Sequence, residues 1–393
     1  MSTFLIITAA PLRYPTVLIM ILQNFRLPGN LRKPGDLYLT ITNDRITDLS
    51  VYPPLENHAE IVDCKGGYLS AGLLDMQLYG AANLLFGETF SQEDLLAIDR
   101  HHLKYGTTRY LLTVYSLSQA DIFRAIDAVK AFMERPDVGC VGLHLEGPWL
   151  NAEKRGAHKA DMVHAPTEAE ISAVLERGKD VIKLITMAPE ICSPACLQLL
   201  LDSGILLSIG HSNATHQEAA DFFNQGIRMT THLYNAMSGL HHRAPGLVGA
   251  ALADDRVFAT IIADGVHLDY LAVGLAYRVK KKQLILISDT GFLDATGDDI
   301  SIQGISIHKK EGAFYTEEGN LAGSAIALIH GVQNVVRYVN IPIPEAIKMA
   351  SQIPAIVLGL EAYGQLAKGK VADILWLNEQ LEVQKVMRNG IWC

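Results

Sequence analysis

The chain has 393 residues, 49% hydrophobic and 19% charged, proportions of a folded globular protein that exclude a largely disordered one. Its 33 lysines and arginines against 42 aspartates and glutamates leave a formal net charge of −9, which gives no electrostatic reason to expect nucleic-acid or membrane binding. The length exceeds one ordinary compact domain and suits one large core with a lesser satellite.

At the start, Phe4 to Ala10 and Val17 to Leu22 are apolar but interrupted by Pro11, Arg13 and Pro15. Neither run reaches the roughly 20 residues of a membrane span, and MSTFLIITAAPLRYP lacks the early basic residue of a secretory signal. A strand and a leader are expected there, without export. The five cysteines, Cys64, Cys140, Cys192, Cys196 and Cys393, form no CxxC pair and read as reduced thiols of a cytoplasmic protein; a metal shared by Cys192 and Cys196 is the alternative.

From Val17 to about Leu69 the short runs TVLIMIL, DLYLTIT, RITDLSV and AEIVD, broken by Pro28-Gly29, Pro34-Gly35, Asn43-Asp44 and Pro53-Pro54, read as a small antiparallel sheet. Apolar runs of four to eight residues then alternate with helical stretches, the signature of a parallel sheet buried on both faces. The runs end near Gln77, Thr113, Glu146, Glu190, His211, His232, Asp264 and Asp289. Helices are expected in SQEDLLAIDRHHLKYG, SQADIFRAIDAVKAFMER, TEAEISAVLERG and THQEAADFFNQG, with Ser91 and Thr167 at N-termini followed by acidic residues. The basic run Arg278 to Lys282 reads as a solvated helix end. After the eighth run come a glycine-containing loop, then LAGSAIALIHGVQNVVRYV and PIPEAIKMASQIPAIVLGL as helices. The last stretch returns to strand-like alternation and can pair with the first strands. The expected fold is therefore α/β: a (β/α)8 TIM-type barrel over 71–360 with a small discontinuous β-sandwich domain built from 1–70 and 361–393.

Polar residues stand where the apolar runs stop: Gln77, Glu146, His211, His232, Asp264 and Asp289. In such a barrel that is the active-site face. One carboxylate with two imidazoles suits zinc or another borderline divalent ion and leaves a coordination position open for water. Asp289 reads as a general base at the same mouth, or as a cap for the segment that follows. A lone histidine at a strand end is usually a hydrogen-bonded core residue, but three ligand types at equivalent heights on three strands make a metal centre the stronger reading.

LLDMQLYGA, HLEGPWLNAEKRGAHKADMV, TMAPE, SIGHSNAT, THLYNAMSGLHHRAPGLVGAAL, IIADGVHLD, LISDT and LAGSA, in this order from about residue 71 to 360, closely resemble the N-acetylglucosamine-6-phosphate deacetylase family of the amidohydrolase superfamily. The resemblance implies hydrolysis of an acetylated amino-sugar phosphate, with Glu146, His211 and His232 as ligands of one divalent metal per subunit, zinc first, with iron or another divalent ion as alternatives. It implies Asp289 as catalytic acid/base and His158 as the hydrogen-bond donor to the acetyl carbonyl. Substrate contacts follow for Asn235, Ala236, His267 and the turn Leu321, Ala322 and Gly323, together with Ala157, Asp264 and Gln77. Arg243 is expected to reach the phosphate across a homodimer interface, or else is simply solvated. His101, His102, His241 and His242 read as surface or packing residues.

Two-metal members of the superfamily carry His-x-His on the first strand, where this chain has Gln77-Leu78-Tyr79. Gln77 fits a single metal; Tyr79 is not expected from the resemblance. A cyclic-amide hydrolase on the same barrel would need His-x-His and a bridging lysine, but Lys183 lies deep within the fourth run. A non-catalytic sugar-phosphate sensor is the alternative from another class, opposed by the presence of all three ligands together with Asp289.

Overall fold

Eight short strands buried on both faces form one parallel sheet: β1 (Leu73–Leu78), β2 (Thr107–Val114), β3 (Cys140–Glu146), β4 (Ile182–Met187), β5 (Leu206–Ile209), β6 (Met229–Thr230), β7 (Phe258–Ile262) and β8 (Leu284–Ile287). The structure is a computed structural model that describes residues 18–393 apart from Leu31, Glu56, Asn57, Asp298, Gln303, Glu311 and Gly312; the strand and leader expected in residues 1–17 lie outside the described residues. Each strand pairs in parallel with the next, and the sheet closes where the Asp289 amide donates to the Gln77 carbonyl (3.1 Å) and the Tyr79 amide to the Thr290 carbonyl (2.9 Å). At this seam Asp75 Oδ1 accepts from the amides of Gln77 and Ser288, both at 3.2 Å.

Side chains alternate across the wall as strand geometry requires. In β8, Leu284 and Leu286 join the outer core under the helices, while Ile285 and Ile287 pack inside with Leu74, Met76, Leu111 and Leu184. The helices Gln92–Lys104, Gln119–Met133, Glu168–Gly178 and His216–Gln225 form where their periodicity places them. Ser91 and Thr167 accept from the amides of Asp94 (3.1 Å) and Glu170 (3.2 Å), satisfying donors that a helix start leaves free.

PIPEAIKMASQIPAIVLGL forms two helices, Ile343–Met349 and Gln352–Val357. Pro354 has no amide hydrogen to give the Ala350 carbonyl, which accepts from the Leu74 amide instead (2.8 Å), so the break ties the second helix to the barrel floor, where Ala355 packs on the interior cluster. The loop expected after β8 contains a three-stranded antiparallel sheet, Asp299–Ile302, Ile305–Lys310 and Ala313–Thr316, whose first two strands carry period-two alternation in DISI and ISIH. Lys280, inside the run read as solvated, is buried: its Nζ donates to the carbonyls of Ala251 (2.8 Å) and Asp254 (2.7 Å), a cation at the C-terminal end of helix Gly246–Ala253.

Both chain ends build the satellite. One sheet orders Arg45–Ser50, Tyr38–Thr42, Ile19–Gln23 and Glu60–Asp63; the other orders Ile391–Trp392, Val383–Arg388, Ile374–Leu377 and Tyr68–Ala71. Leu22, Leu39 and Ile41 from the first, with Phe25 just beyond its strand, share a core with Ile374 and Met387 from the second. The first sheet is not wholly antiparallel, because Glu60–Asp63 runs parallel to Ile19–Gln23. Arg45–Ser50 and Glu60–Asp63 stand at opposite edges of the sheet, so the chain does not fold back between them as a hairpin. Satellite and barrel are joined by buried ion pairs. Arg109 holds Asp373 through Nε (2.6 Å) and Nη2 (3.1 Å), and Arg388 Nη1 holds Asp99 (2.8 Å), which also accepts from Tyr110 OH (2.9 Å) and the Gly139 amide (2.8 Å).

Among the described residues no helix is long and apolar enough to cross a membrane. The Asp99–Arg388 pair is almost wholly removed from solvent, and removing one partner strands the other charge. Asp99→Ala and Arg388→Ala are each expected to cost about 3–5 kcal/mol in denaturant unfolding, and the double variant less than the sum; strictly additive costs would show that the two side chains do not stabilise one another.

Candidate metal centre

Glu146 is the last residue of β3, so its carboxylate emerges at the barrel mouth, whereas His211, His232 and Asp289 each stand two residues beyond the ends of β5, β6 and β8. Those three have positive φ, 48°, 37° and 53°, a backbone region unfavourable to side chains with a Cβ and found where a surrounding structure imposes it at functional sites. The turn aims each side chain back over the barrel axis. In β1 the pairing with β2 shifts between Asp75 and Leu78, and this bulge lets Gln77 face the mouth while Leu78 packs in the outer core.

Glu146 is buried and densely contacted. Its Oε1 lies 2.9 Å from Gln77 Nε2, 3.0 Å from His232 Nε2 and 3.3 Å from His211 Nε2; its Oε2 accepts from Tyr79 OH and lies 3.2 Å from His158 Nε2. Burial works to raise its carboxyl, but the His211 charge and hydrogen bonds from His158, His211 and His232 outweigh it and hold the group well below the usual carboxylate range. Asp289 is driven the other way, well above that range, first by burial and then by the charge of Glu146. Deeper in the seam, burial lifts Asp75 to about 6 against hydrogen bonds from Ser288 and Gln77.

Glu146, His158 and His211 bring ligand atoms within 4.8 Å of one another, and His232 Nε2 is 3.1 Å from His211 Nε2, so three imidazoles crowd one carboxylate. Hydrogen bonds to their far nitrogens sort them. The Ser116 amide, which can only donate, meets His158 Nδ1 at 3.1 Å, so that nitrogen accepts and the proton of the neutral ring sits on Nε2. His211 Nδ1 faces the Lys154 carbonyl (2.8 Å) and His232 Nδ1 the Asn235 carbonyl (3.1 Å); both donate there, so the neutral form of each ring, the form that binds a metal, carries its lone pair on Nε2. At 3.1 Å the two Nε2 atoms repel one another beside the carboxylate oxygen unless positive charge lies among them, from ring protons shared with Glu146 or from a metal ion that replaces them. One carboxylate and two imidazoles fit a borderline divalent ion, and the neutral His158 ring turns its Nε2–H toward the same carboxylate.

The centre opens into a cavity of about 420 Å3, the size of a small-molecule site. His158, Asp289, Ala157, Asn235, Ala236, His267, Leu321, Ala322 and Gly323 all line it. The Nδ2 of Asn235 is buried without a partner among the described residues, a donor left for a ligand. Gln77 lies behind Glu146, outside the cavity wall. Asp264 is also outside that wall: its carboxylate accepts from the amides of Val266 (2.9 Å) and His267 (2.8 Å) and holds His267 Nδ1 at 2.6 Å, so it orients His267 and, against burial, is kept below the usual carboxylate range mainly by that imidazole. Arg243 is exposed in the turn of His241 to Ala244, apart from the cavity. His102, read as surface or packing, is buried against the Gly80 carbonyl (3.0 Å), with burial lowering it to about 4.

Sequence reasoning marked Tyr79 only as unexpected and missed Ser116 and the isoleucines at the mouth. Tyr79 both bonds Glu146 and lines the cavity, and Ser116, at the end of the second apolar run, fixes the His158 tautomer. Ile302, Ile305 and Ile307 of the three-stranded sheet cover the mouth with apolar surface, and their alternating pattern was the available signal.

Residues 68–393 match the model of the amidohydrolase family. The chain is 32% identical over 364 residues to an N-acetylglucosamine-6-phosphate deacetylase of Haemophilus influenzae, covering 91% of this chain and 94% of that protein. It is also 32% identical over 326 residues to an N-acetylgalactosamine-6-phosphate deacetylase of a Shewanella species, covering 82% of each. The crystal structure of N-acetylglucosamine-6-phosphate deacetylase from Pasteurella multocida superposes with a TM-score of 0.90 at 30% identity, covering 96% of this chain and 100% of that one. That of Thermotoga maritima superposes with a TM-score of 0.83 at 29% identity, covering 95% and 99%.

The Tyr79 hydroxyl compensates a buried carboxylate. Tyr79→Phe is expected to lower the stability of the metal-free protein by about 1.5–3 kcal/mol, the worth of a hydrogen bond to a charged group. Denaturation in the presence of a chelator reads this directly, and an unshifted midpoint would show the bond to be energetically idle.

Proposed function

We propose that this chain, which belongs to the amidohydrolase family of metal-dependent hydrolases, removes the acetyl group of N-acetylglucosamine 6-phosphate, releasing acetate and glucosamine 6-phosphate in amino-sugar catabolism and recycling in the cytoplasm. One observation carries the reading: two imidazole lone pairs, those of His211 and His232, converge beside Glu146 while a third imidazole, His158, presents a proton to the same point. The names of relatives that cover nearly the whole chain supply the substrate.

Glu146, His211 and His232 hold one divalent ion, zinc in the first instance, which when bound supplies Lewis acidity to water and to the amide carbonyl. Asp289 accepts the proton that water loses as it attacks the carbonyl carbon. The raised affinity of this buried carboxyl for a proton suits it to carry that proton and return it to the departing amine. His158 donates its Nε2–H to the carbonyl oxygen as negative charge develops there, and Ser116 keeps the ring in the donating tautomer. The carbon–nitrogen bond then breaks, giving acetate and the free amine.

Asn235, Ala236, His267 and the Leu321–Gly323 turn hold the sugar phosphate, with Asp264 keeping the His267 ring in place. Arg243 completes the phosphate site from the partner subunit of a homodimer; its guanidinium is a planar fork suited to phosphate and is exposed on this subunit. Self-association is supported by helix Tyr270–Lys280, where exposed Leu271, Leu275 and Val279 at four-residue spacing form one apolar stripe. Sedimentation velocity is expected to give a dimer; a monomer at micromolar concentration would remove Arg243 from the phosphate site.

Asp289→Asn is expected to keep its metal content and lose at least about 100-fold in kcat, the contribution of a positioned acid/base; near-normal kcat would end its assignment as base. Acetate release from the glucosamine and galactosamine substrates, before and after chelation and metal replacement, tests the whole reading. Activity on the glucosamine epimer that disappears with the metal and returns with it is the expected result. Preference for the galactosamine epimer would reassign the sugar, and release of acetate from neither would overturn the function.

A further inference from the structure

Glu190, at the end of the TMAPE segment, neither lines the cavity nor touches the proposed metal ligands, yet its carboxylate is fully engaged. Oε1 accepts from the Asn213 amide (2.7 Å) and Asn151 Nδ2 (2.9 Å), and Oε2 accepts from Ser212 Oγ (2.8 Å). These donors lie on two separate loops of the barrel mouth. Ser212 and Asn213 directly follow His211 and hold the backbone whose left-handed conformation aims that ring. Asn151 belongs to the loop after β3: its amide donates to the His211 carbonyl (2.9 Å), its Oδ1 accepts from the Glu153 amide (3.0 Å), and the turn it caps ends at Lys154, whose carbonyl accepts from His211 Nδ1.

We infer that Glu190 is the positioning residue of the metal centre: one carboxylate clamps both the backbone of His211 and the turn that orients its imidazole. The same turn continues to Ala157 and His158, so the clamp also sets the distance between the ligand and the proton donor. The inference rests on His211 being a metal ligand. A histidine in an unfavourable φ region has no preference of its own for this geometry, and without the clamp both its backbone and its ring relax.

Metal affinity, measured by titrating the metal-free protein with zinc in competition with a chelator, separates positioning from mere support of the fold. Glu190→Ala is expected to weaken zinc binding by about 10- to 100-fold, the usual effect of losing a residue that orients a ligand, and to alter the visible absorption of the cobalt-substituted protein. Glu190→Gln is expected to restore both, since its amide oxygen still accepts from Asn213 and Asn151 and its NH2 can donate to Ser212 Oγ. Wild-type affinity in Glu190→Ala, even with a lowered Tm, would overturn the inference. His211→Ala serves as the reference: unaltered zinc affinity there would refute the ligand reading itself, whereas its loss alongside unaltered affinity in Glu190→Ala would refute only the clamp. If Glu190→Ala does not fold, Asn151→Ala breaks the same link from the other loop, with the same expected weakening and the same overturning result.

Discussion

A carboxylate buried at the end of a strand is tolerable only if its charge is met, and Glu146 imposes that condition on the whole barrel mouth. Gln77 and Tyr79 approach it from β1, His158 from the loop after β3, and His211 and His232 from β5 and β6. They come from four βα units, those of β1, β3, β5 and β6, so the electrostatic requirement is satisfied only when the barrel has closed and these loops are seated. The site is thus a consequence of the closed fold, and an ion held there would contribute to it in turn.

The centre is held by a division of labour between strands and loops. Strands set heights, since Glu146 ends β3 and the histidines follow β5 and β6 at the same offset. Loops set directions through left-handed turns at His211, His232 and Asp289, conformations that cost energy and are retained because neighbouring groups hold the backbone amides: Glu190 that of Asn213 beside His211, Thr260 Oγ1 that of His232 and the Gln77 carbonyl that of Asp289. Asp289 and Glu146, two carboxylates in one buried mouth, are pushed in opposite directions, one toward keeping a proton and the other toward losing it. Two acids with separated tasks at one centre is the usual mark of hydrolytic chemistry.

The barrel and its helices were legible because their residues obey local rules. Runs such as QLILISD are apolar on both faces, Ser91 and Thr167 cap the helices they precede, and polar residues appear where each run stops. The elements that local rules misread are those whose partners lie far away in the chain. Pro354 splits a helix whose freed Ala350 carbonyl is taken by Leu74, Lys280 is drawn inward by the carbonyls of Ala251 and Asp254, and Glu60–Asp63 reaches its parallel neighbour across the sheet.

Residue identity alone determined that a carboxylate and two imidazoles would stand at the mouth, because strand ends and ligand chemistry are both written in short segments. Only the tertiary structure decided which histidine gives its proton and which offers a lone pair. That choice depends on what meets the far nitrogen of each ring: the Ser116 amide for His158, the carbonyls of Lys154 and Asn235 for His211 and His232. An imidazole can play either part, and Ser116 and Lys154 reach their rings from 42 and 57 residues away.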